Sequence, residues 1–194
     1  MSLINLDDFF EFGNQAPINR IAYTKEDAKF KLKCIKAMQD LGMEISIDYA
    51  GNICGTLKGK NLNARSIVMG SHTDSVFNGG QFDGPVGVYM ALKAVEDFKN
   101  SNAEQQGDLK VVIYACEESS RFSKACLGSH YLSGELSLEQ LASLKDKQGM
   151  TFEKAVAEYR KYLLSNAKAN GIDISRIMHV DKVLSQEEIA IAVE

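Results

Sequence analysis

A chain of 194 residues can bury one substantial core, and 45% hydrophobic with 25% charged residues is the composition of a folded globular protein rather than a disordered one. The formal net charge of −4, with lysines interspersed among acids, offers no clustered basic face for nucleic acid or an acidic membrane surface. No apolar run approaches the roughly 18 residues of a membrane span, and the opening MSLINLDDFFEFG lacks the basic start and apolar stretch of a secretory signal, so the expected location is cytoplasmic.

Thr24 followed by Asp27 resembles a capping box, and Ala28, Leu32, Ile35 and Met38 recur at helical spacing before Gly42, a suitable residue just past a helix end. Met43, Ile45, Ile47 and Tyr49 alternate with period two, Gly51-Asn52 marks a tight turn, and Ile53, Gly55 and Leu57 resume the alternation, which predicts a hairpin. After a polar turn over Lys58 to Asn63, Ser66 to Gly70 is a short apolar run suited to a buried strand. Ser71 to Gly84 is polar and Gly-rich and reads as a loop. Val86 to Phe98 then reads as a helix, with Val88, Leu92 and Val95 on one side. Leu109 to Ala115 is a second β-branched run, a candidate central strand, and a polar loop opens after it at Cys116-Glu117-Glu118. From Ser137 onward the pattern is mostly helical, including Thr151 to Leu164 and Ser185 to Glu194.

Strands alternating with helices predict an α/β layered sheet, in which functional loops gather at the carboxyl ends of strands. Both polar loops follow an apolar strand, at Gly70 and at Ala115, and are expected side by side. Cys34, Cys54, Cys116 and Cys126 stand far apart without a C-x-x-C pair, which predicts free thiols in a reducing compartment rather than disulfides or a structural zinc site.

The two loops concentrate metal-ligand chemistry. The first offers His72, Asp74 and Asp83, the second Glu117 and Glu118. Imidazole with carboxylates suits zinc or a similar divalent ion, and a carboxylate can bridge two ions. In an extended segment Asp74 shares a face with His72 and is placed to hold the far imidazole nitrogen, which fixes the tautomer of a ligating histidine. Two adjacent glutamates point in different directions, so one can bind metal while the other takes a proton from water. Each feature alone has an ordinary explanation: a satisfied loop histidine, solvated acids, a glycine turn at Gly79-Gly80. Their convergence on two strand ends favours a metal site. His130 and His179 have no acidic partner at ligand-like spacing and are expected to be structural or exposed. There is no G-x-S-x-G elbow, H-E-x-x-H motif or phosphate loop.

The segments GSHTDSVFNGGQFDGPVGV, EESSRF and CLGSHYLSGELS resemble the successive signatures of the amidase, hydantoinase and carbamoylase group of two-metal zinc hydrolases. That group includes N-carbamoyl-L-amino-acid hydrolases and allantoate amidohydrolases, and is related to a large clan of metallopeptidases. The resemblance implies a three-layer α/β/α catalytic domain of zinc-exopeptidase type, with residues 1–194 its amino-terminal part. It assigns His72, Asp83 and Glu118 to two divalent ions, zinc first and manganese, cobalt or nickel as alternatives, with Asp83 bridging. Glu117 becomes the general base and Asp74 the residue orienting His72. The implied reaction is hydrolysis of the ureido or amide C–N bond of a small ureido acid, an N-carbamoyl-L-amino acid or allantoate. An aminopeptidase or dipeptidase of the same clan and a non-catalytic metal-binding fragment are the rivals. A cis peptide is implied at Asp83-Gly84.

Departures inside the motifs are small: Ser119 stands where the group has Gly, and Ser75 where it has Thr. A larger one is that the chain reaches Glu194 before any counterpart of the group's E-L-H-I-E-Q-G segment, its lid domain or its last histidine ligand. The expectation is therefore a chain inert or nearly so alone, from an enzyme that is a homodimer at full length.

Overall fold

The computed structural model describes residues 4–10, 17–61 and 63–193. After a one-turn helix α1 (Leu6–Phe9), helix α2 spans Lys25–Asp40. Thr24 caps α2 by accepting from the Asp27 backbone N–H. Asp27 reaches back one residue beyond the cap and accepts the Tyr23 N–H at 2.9 Å. The helix ends in a Schellman motif, in which Gly42 N–H donates to Gln39 O and Met43 N–H to Met38 O.

Strands β1 (Glu44–Ile47) and β2 (Ile53–Leu57) form the expected hairpin, although β1 ends before Tyr49. Strand β3 (Ser66–His72) runs two residues past the apolar stretch, so His72 is the last strand residue rather than a loop residue. Helix α3 (Pro85–Asn100) and strand β4 (Leu109–Tyr114) follow, then α4 (Leu127–Ser133), α5 (Leu138–Ser143) and α6 (Phe152–Ala167). The turn expected over Lys58 to Asn63 includes Leu62, which lies outside the described residues.

The helix expected over Ser185 to Glu194 is not formed. A single 3₁₀ turn at Gln186–Glu188 leads into strand β6 (Ile189–Val193), which pairs parallel to β3; Glu194 lies outside the described residues. The alternation Ile-Ala-Ile-Ala-Val fits a strand as well as a helix, and the open edge of β3 decides between them. A further short strand, β5 (Ile177–His179), was not expected and pairs with β1.

The mixed sheet has the order β5-β1-β2-β4-β3-β6. Only β2 runs against its neighbours, so the carboxyl ends of β3 and β4 lie on one edge. Ile113 on β4 and Ile53 on β2 join the main core with α2 and α3 residues, including Ile35, Met38, Val88 and Leu92. On the other face, Val183 and Leu184, from the segment joining β5 to β6, pack on Cys54, Val68 and Val112. Strand β4 is thus buried on both sides, as its unbroken apolar run requires. Helices cover one face; the described cover of the other is this connecting segment with Leu132 of α4, so a second helical layer is not seen among the described residues. No helix among them is long and apolar enough to cross a membrane.

Candidate metal centre

Parallel pairing of β3 with β4 sets His72 directly beside Tyr114, so the two polar loops leave the sheet next to each other. Ligand atoms of His72, Glu117 and Glu118 all lie within 4.8 Å of one another. Asp83 reaches the group from the start of α3, its Oδ1 4.0 Å from His72 Nε2, on a side chain that is 78% exposed. The tight trio therefore contains Glu117, with Asp83 at its rim.

The imidazole is oriented by residue 74, but through the main chain. His72 Nδ1 lies 3.0 Å from the Asp74 carbonyl, whereas the Asp74 carboxylate is 3.9 Å away. A carbonyl only accepts, so Nδ1 carries the proton and the Nε2 lone pair is left for an ion. Nε2 faces Asp83 and Glu117 Oε2, the latter at 3.7 Å.

The Asp74 carboxylate has a different task. It is fully buried, and its oxygens accept the backbone N–H of Glu117 at 3.2 Å and of Glu118 at 3.0 Å. One carboxylate on the first loop thus fastens the paired-glutamate turn of the second. Burial, reinforced by Asp27, pushes its carboxyl up to about 6, against the opposing pull of Lys31, the Glu118 N–H and His72. Glu118 is raised above the ordinary glutamate range, first by desolvation and then by the Glu117 charge. Two carboxylates crowded beside each other resist carrying both charges unless a cation joins them. That electrostatic strain, with an imidazole lone pair aimed into the same space, is what a divalent ion relieves.

Just after Asp83 the backbone turns at Gly84, with φ of 82°. A Cβ there would stand 2.6 Å from His72 Cε1 and Nδ1, so only glycine lets α3 start against the imidazole. The cis peptide expected at Asp83-Gly84 is not present; no cis bond occurs among the described residues. The positive φ at Gly84 makes the reversal without the ~2.5–4 kcal/mol of a non-proline cis bond.

Several supports were not evident in the sequence. Asn52, read only as a turn residue, is fully buried; its Oδ1 accepts the Ala115 N–H at 2.8 Å and its Nδ2 donates to Gly128 O and to Asp48. It pins the end of β4 to the start of α4. Arg121 of the EESSRF segment holds Ala22 O and Asp146 rather than facing His72. Cys126 donates from Sγ to Glu117 Oε1 at 3.4 Å. Nothing in residue spacing signals such contacts, which depend on tertiary approach. None of the four cysteines is in a disulfide, as expected, and His179 is exposed. His130 is half-buried, away from the trio, and lies 3.6 Å from Glu135. A cavity of about 490 Å³ lined by Tyr23, Arg121, Tyr159 and Tyr162 touches none of the trio.

An imidazole and paired carboxylates at neighbouring strand ends of a mixed α/β sheet define the class: a hydrolase-type chain with a candidate metal centre. The chain belongs to peptidase family M28, whose profile matches residues 52–180. The N-carbamoyl-L-amino-acid amidohydrolase of Pseudomonas sp. (strain NS671) is 31% identical over 152 residues, covering 77% of this chain and 37% of that protein. The allantoate amidohydrolase of Bacillus subtilis (strain 168) is 30% identical over 167 residues, covering 85% of this chain and 40% of that protein. A hydantoinase/carbamoylase family amidase from Burkholderia ambifaria superposes with a TM-score of 0.75 at 29% identity, over 80% of this chain and 38% of that one. The chain thus spans about two-fifths of the length of the relatives it matches.

Proposed function

We propose that residues 1–194 supply the amino-terminal part of the catalytic domain of a metal-dependent amidohydrolase. Its reaction is hydrolysis of the ureido or amide C–N bond of an N-carbamoyl-L-amino acid or allantoate. The observation that carries this reading is the meeting of His72, Glu117 and Glu118 within 4.8 Å at adjacent strand ends. The amidohydrolases among the relatives support the reaction class. In this reading His72, Asp83 and Glu118 hold two divalent ions, zinc in the first place. Such ions supply Lewis acidity and bring the pKa of water toward neutrality.

The chain's own residues do the rest. The Asp74 carbonyl keeps the His72 Nε2 lone pair directed at the site. Glu117 Oε2 faces the same space and accepts the proton of the attacking water, then returns it to the departing nitrogen. The Asp74 carboxylate holds Glu117 and Glu118 at their backbones, so that neither swings away as charge develops. Cysteines outside any disulfide fit a cytoplasmic setting, and a homodimer at full length follows the resemblance. The peptidase name of the matched family favours a second reading, cleavage of a dipeptide by the same centre.

The test is zinc titration of the chelator-stripped chain by calorimetry, with His72→Ala and Glu118→Gln as controls. The protein that contains these residues is then assayed on N-carbamoyl amino acids, allantoate and dipeptides. Saturable zinc binding lost in His72→Ala, and turnover of ureido acids abolished by Glu117→Gln, are expected. Zinc binding indifferent to His72 ends the metal reading, and turnover confined to dipeptides moves the function to the peptidase side.

A further inference from the structure

Behind the His72 strand end lies a buried charged pair that the proposed chemistry does not use. Asp27 and Lys31, one turn apart on α2, are both fully buried, with Lys31 Nζ 3.0 Å from Asp27 Oδ2. Lys31 also sits over the Tyr159 ring, 5.1 Å from its centroid. Burial is the largest single influence on Lys31 and opposes its charge, but Asp27, Tyr159 and Asp74 together hold the ammonium above the ordinary lysine range. Removing two charges from water costs several kcal/mol per ion, and well-packed apolar residues often serve stability equally well. Packing alone does not call for an ion pair here.

The second oxygen of Asp27 shows what the pair reaches. Asp27 Oδ1 accepts the hydroxyl of Thr73 at 3.2 Å. Thr73 lies between His72 and Asp74, and alternation along an extended segment turns its side chain toward α2 while theirs turn to the site. Its carbonyl accepts from Arg20 Nε. One residue on, Ser75 exchanges bonds with Arg20: Arg20 N–H donates to Ser75 Oγ at 3.0 Å, and Ser75 N–H to Arg20 O at 2.9 Å. The four residues that present the imidazole and the Asp74 clamp are thus fastened from behind, at a fully buried threonine, by a carboxylate whose charge is balanced inside the protein.

We propose that the Asp27–Lys31 pair is a positioning device for the metal-holding loop, acting through the Thr73 hydroxyl to fix the direction of His72 and Asp74. The inference rests on the metal reading for its consequence, though its geometry is independent of it. Residues behind a ligand typically change metal affinity 10- to 100-fold when removed. Thr73→Val deletes the hydroxyl at constant shape, and Thr73→Ser keeps it. Two readouts are taken on the whole chain: zinc affinity by calorimetry, and hydrogen exchange of the Glu117 and Glu118 amides in chelator, without metal.

The expected result for Thr73→Val is a zinc affinity at least tenfold weaker and exchange of those two amides at least tenfold faster, with the amides of β4 unchanged. Thr73→Ser should stay within threefold of wild type on both. Lys31→Met should shift both readouts in the same direction as Thr73→Val. Unchanged exchange at Glu117 and Glu118 in Thr73→Val overturns the proposal, as does a uniform acceleration across the whole sheet, which denotes plain loss of stability. If exchange responds as expected while wild type takes up no zinc, the positioning role stands and the metal reading falls.

Discussion

Replacing Asp74 by asparagine separates what its charge does for the fold from what its geometry does for the site. The carboxylate accepts one backbone N–H on each oxygen, from Glu117 and Glu118. Asparagine keeps one acceptor and turns an NH₂ toward the other N–H. One charge-assisted bond is lost, worth about 1.5–3 kcal/mol, and a buried donor is left unmatched at a further ~1–3 kcal/mol. An opposing term exists. Burial and Asp27 raise this carboxyl from 3.8 to about 6. Carrying the charge at neutral pH therefore costs the fold about 3 kcal/mol, which asparagine relieves.

The two terms largely offset each other globally, so the variant should lose no more than about 3 kcal/mol. That is a fall in melting temperature of at most roughly 6–12 °C for a chain of this size. Locally nothing cancels: the turn at residues 117–118 loses a bond worth about 3 kcal/mol, and its exchange should accelerate about a hundredfold. Circular dichroism reads the first quantity, and hydrogen exchange with mass spectrometry over residues 115–122 reads the second. A melting temperature more than about 15 °C lower, or unaltered exchange in that peptide, would refute the reasoning.

Gly84→Ala places a methyl 2.6 Å from the His72 ring at a φ of 82°, so zinc affinity should drop at least tenfold in calorimetry; equal affinity would mean that the ring has room to move. Asn52→Leu leaves the Ala115 N–H and the Gly128 carbonyl buried without their partner, and urea unfolding should report a loss of about 3–5 kcal/mol, against less than 1 if water replaces it. Asp48 is raised by burial to about 6, so the folded chain holds an extra proton between pH ~4 and ~6, and stability falls as pH rises through that window. Asp48→Asn should flatten that part of the profile, and an unchanged slope between pH 4 and 6 would contradict it. Burial pushes the thiols of Cys34 up to about 12 and Cys54 up to about 11, and Cys116 well above its usual range. Iodoacetamide on the native chain should therefore label partly exposed Cys126 first, and early labelling of Cys34 in peptide mapping would count against the packing.

How much was legible beforehand depended on the range of the interactions involved. Helix α2 and the hairpin could be read because capping, periodicity and the Gly42 stop are local. Strand β3 was read two residues short because Ser71 and His72 are polar: their strand conformation comes from pairing with Ile113 and Tyr114 of β4, which no periodicity expresses. The misreading of Ile189 to Val193 as helix has the same origin, since an open edge of β3 supplies the partner. At the site, residue types and their strand-end positions were legible, so His72, Glu117 and Glu118 could be paired across 45 residues. The direction of Asp74 was not. Sharing a face with His72 suggested a carboxylate–imidazole bond, but the main-chain carbonyl occupies Nδ1 and frees the carboxylate for two backbone donors.

That exchange of roles has a consequence for how the centre is built. A ligand set assembled only by an ion would leave each loop free to settle in its own conformation without one. Here the first loop is held from behind at Thr73 and Ser75, and the paired-glutamate turn is held by Asp74. The strand leading into that turn is fixed independently by Asn52, and the chain leaving it by Arg121. These restraints come from α2, the residues just before it, the β1–β2 turn and the loop after β3, and they consist of hydrogen bonds within the chain. The loops that carry the donor atoms are thus tied to the rest of the chain by hydrogen bonds, which lowers the ordering cost of the ion binding proposed above. The cost falls on the carboxylates, which are crowded and partly desolvated; burial and the neighbouring Glu117 raise Glu118 above its ordinary range. Stability is given up at the strand ends to keep the site ready, and the supports that permit this lie in parts of the chain with no metal-ligand signature.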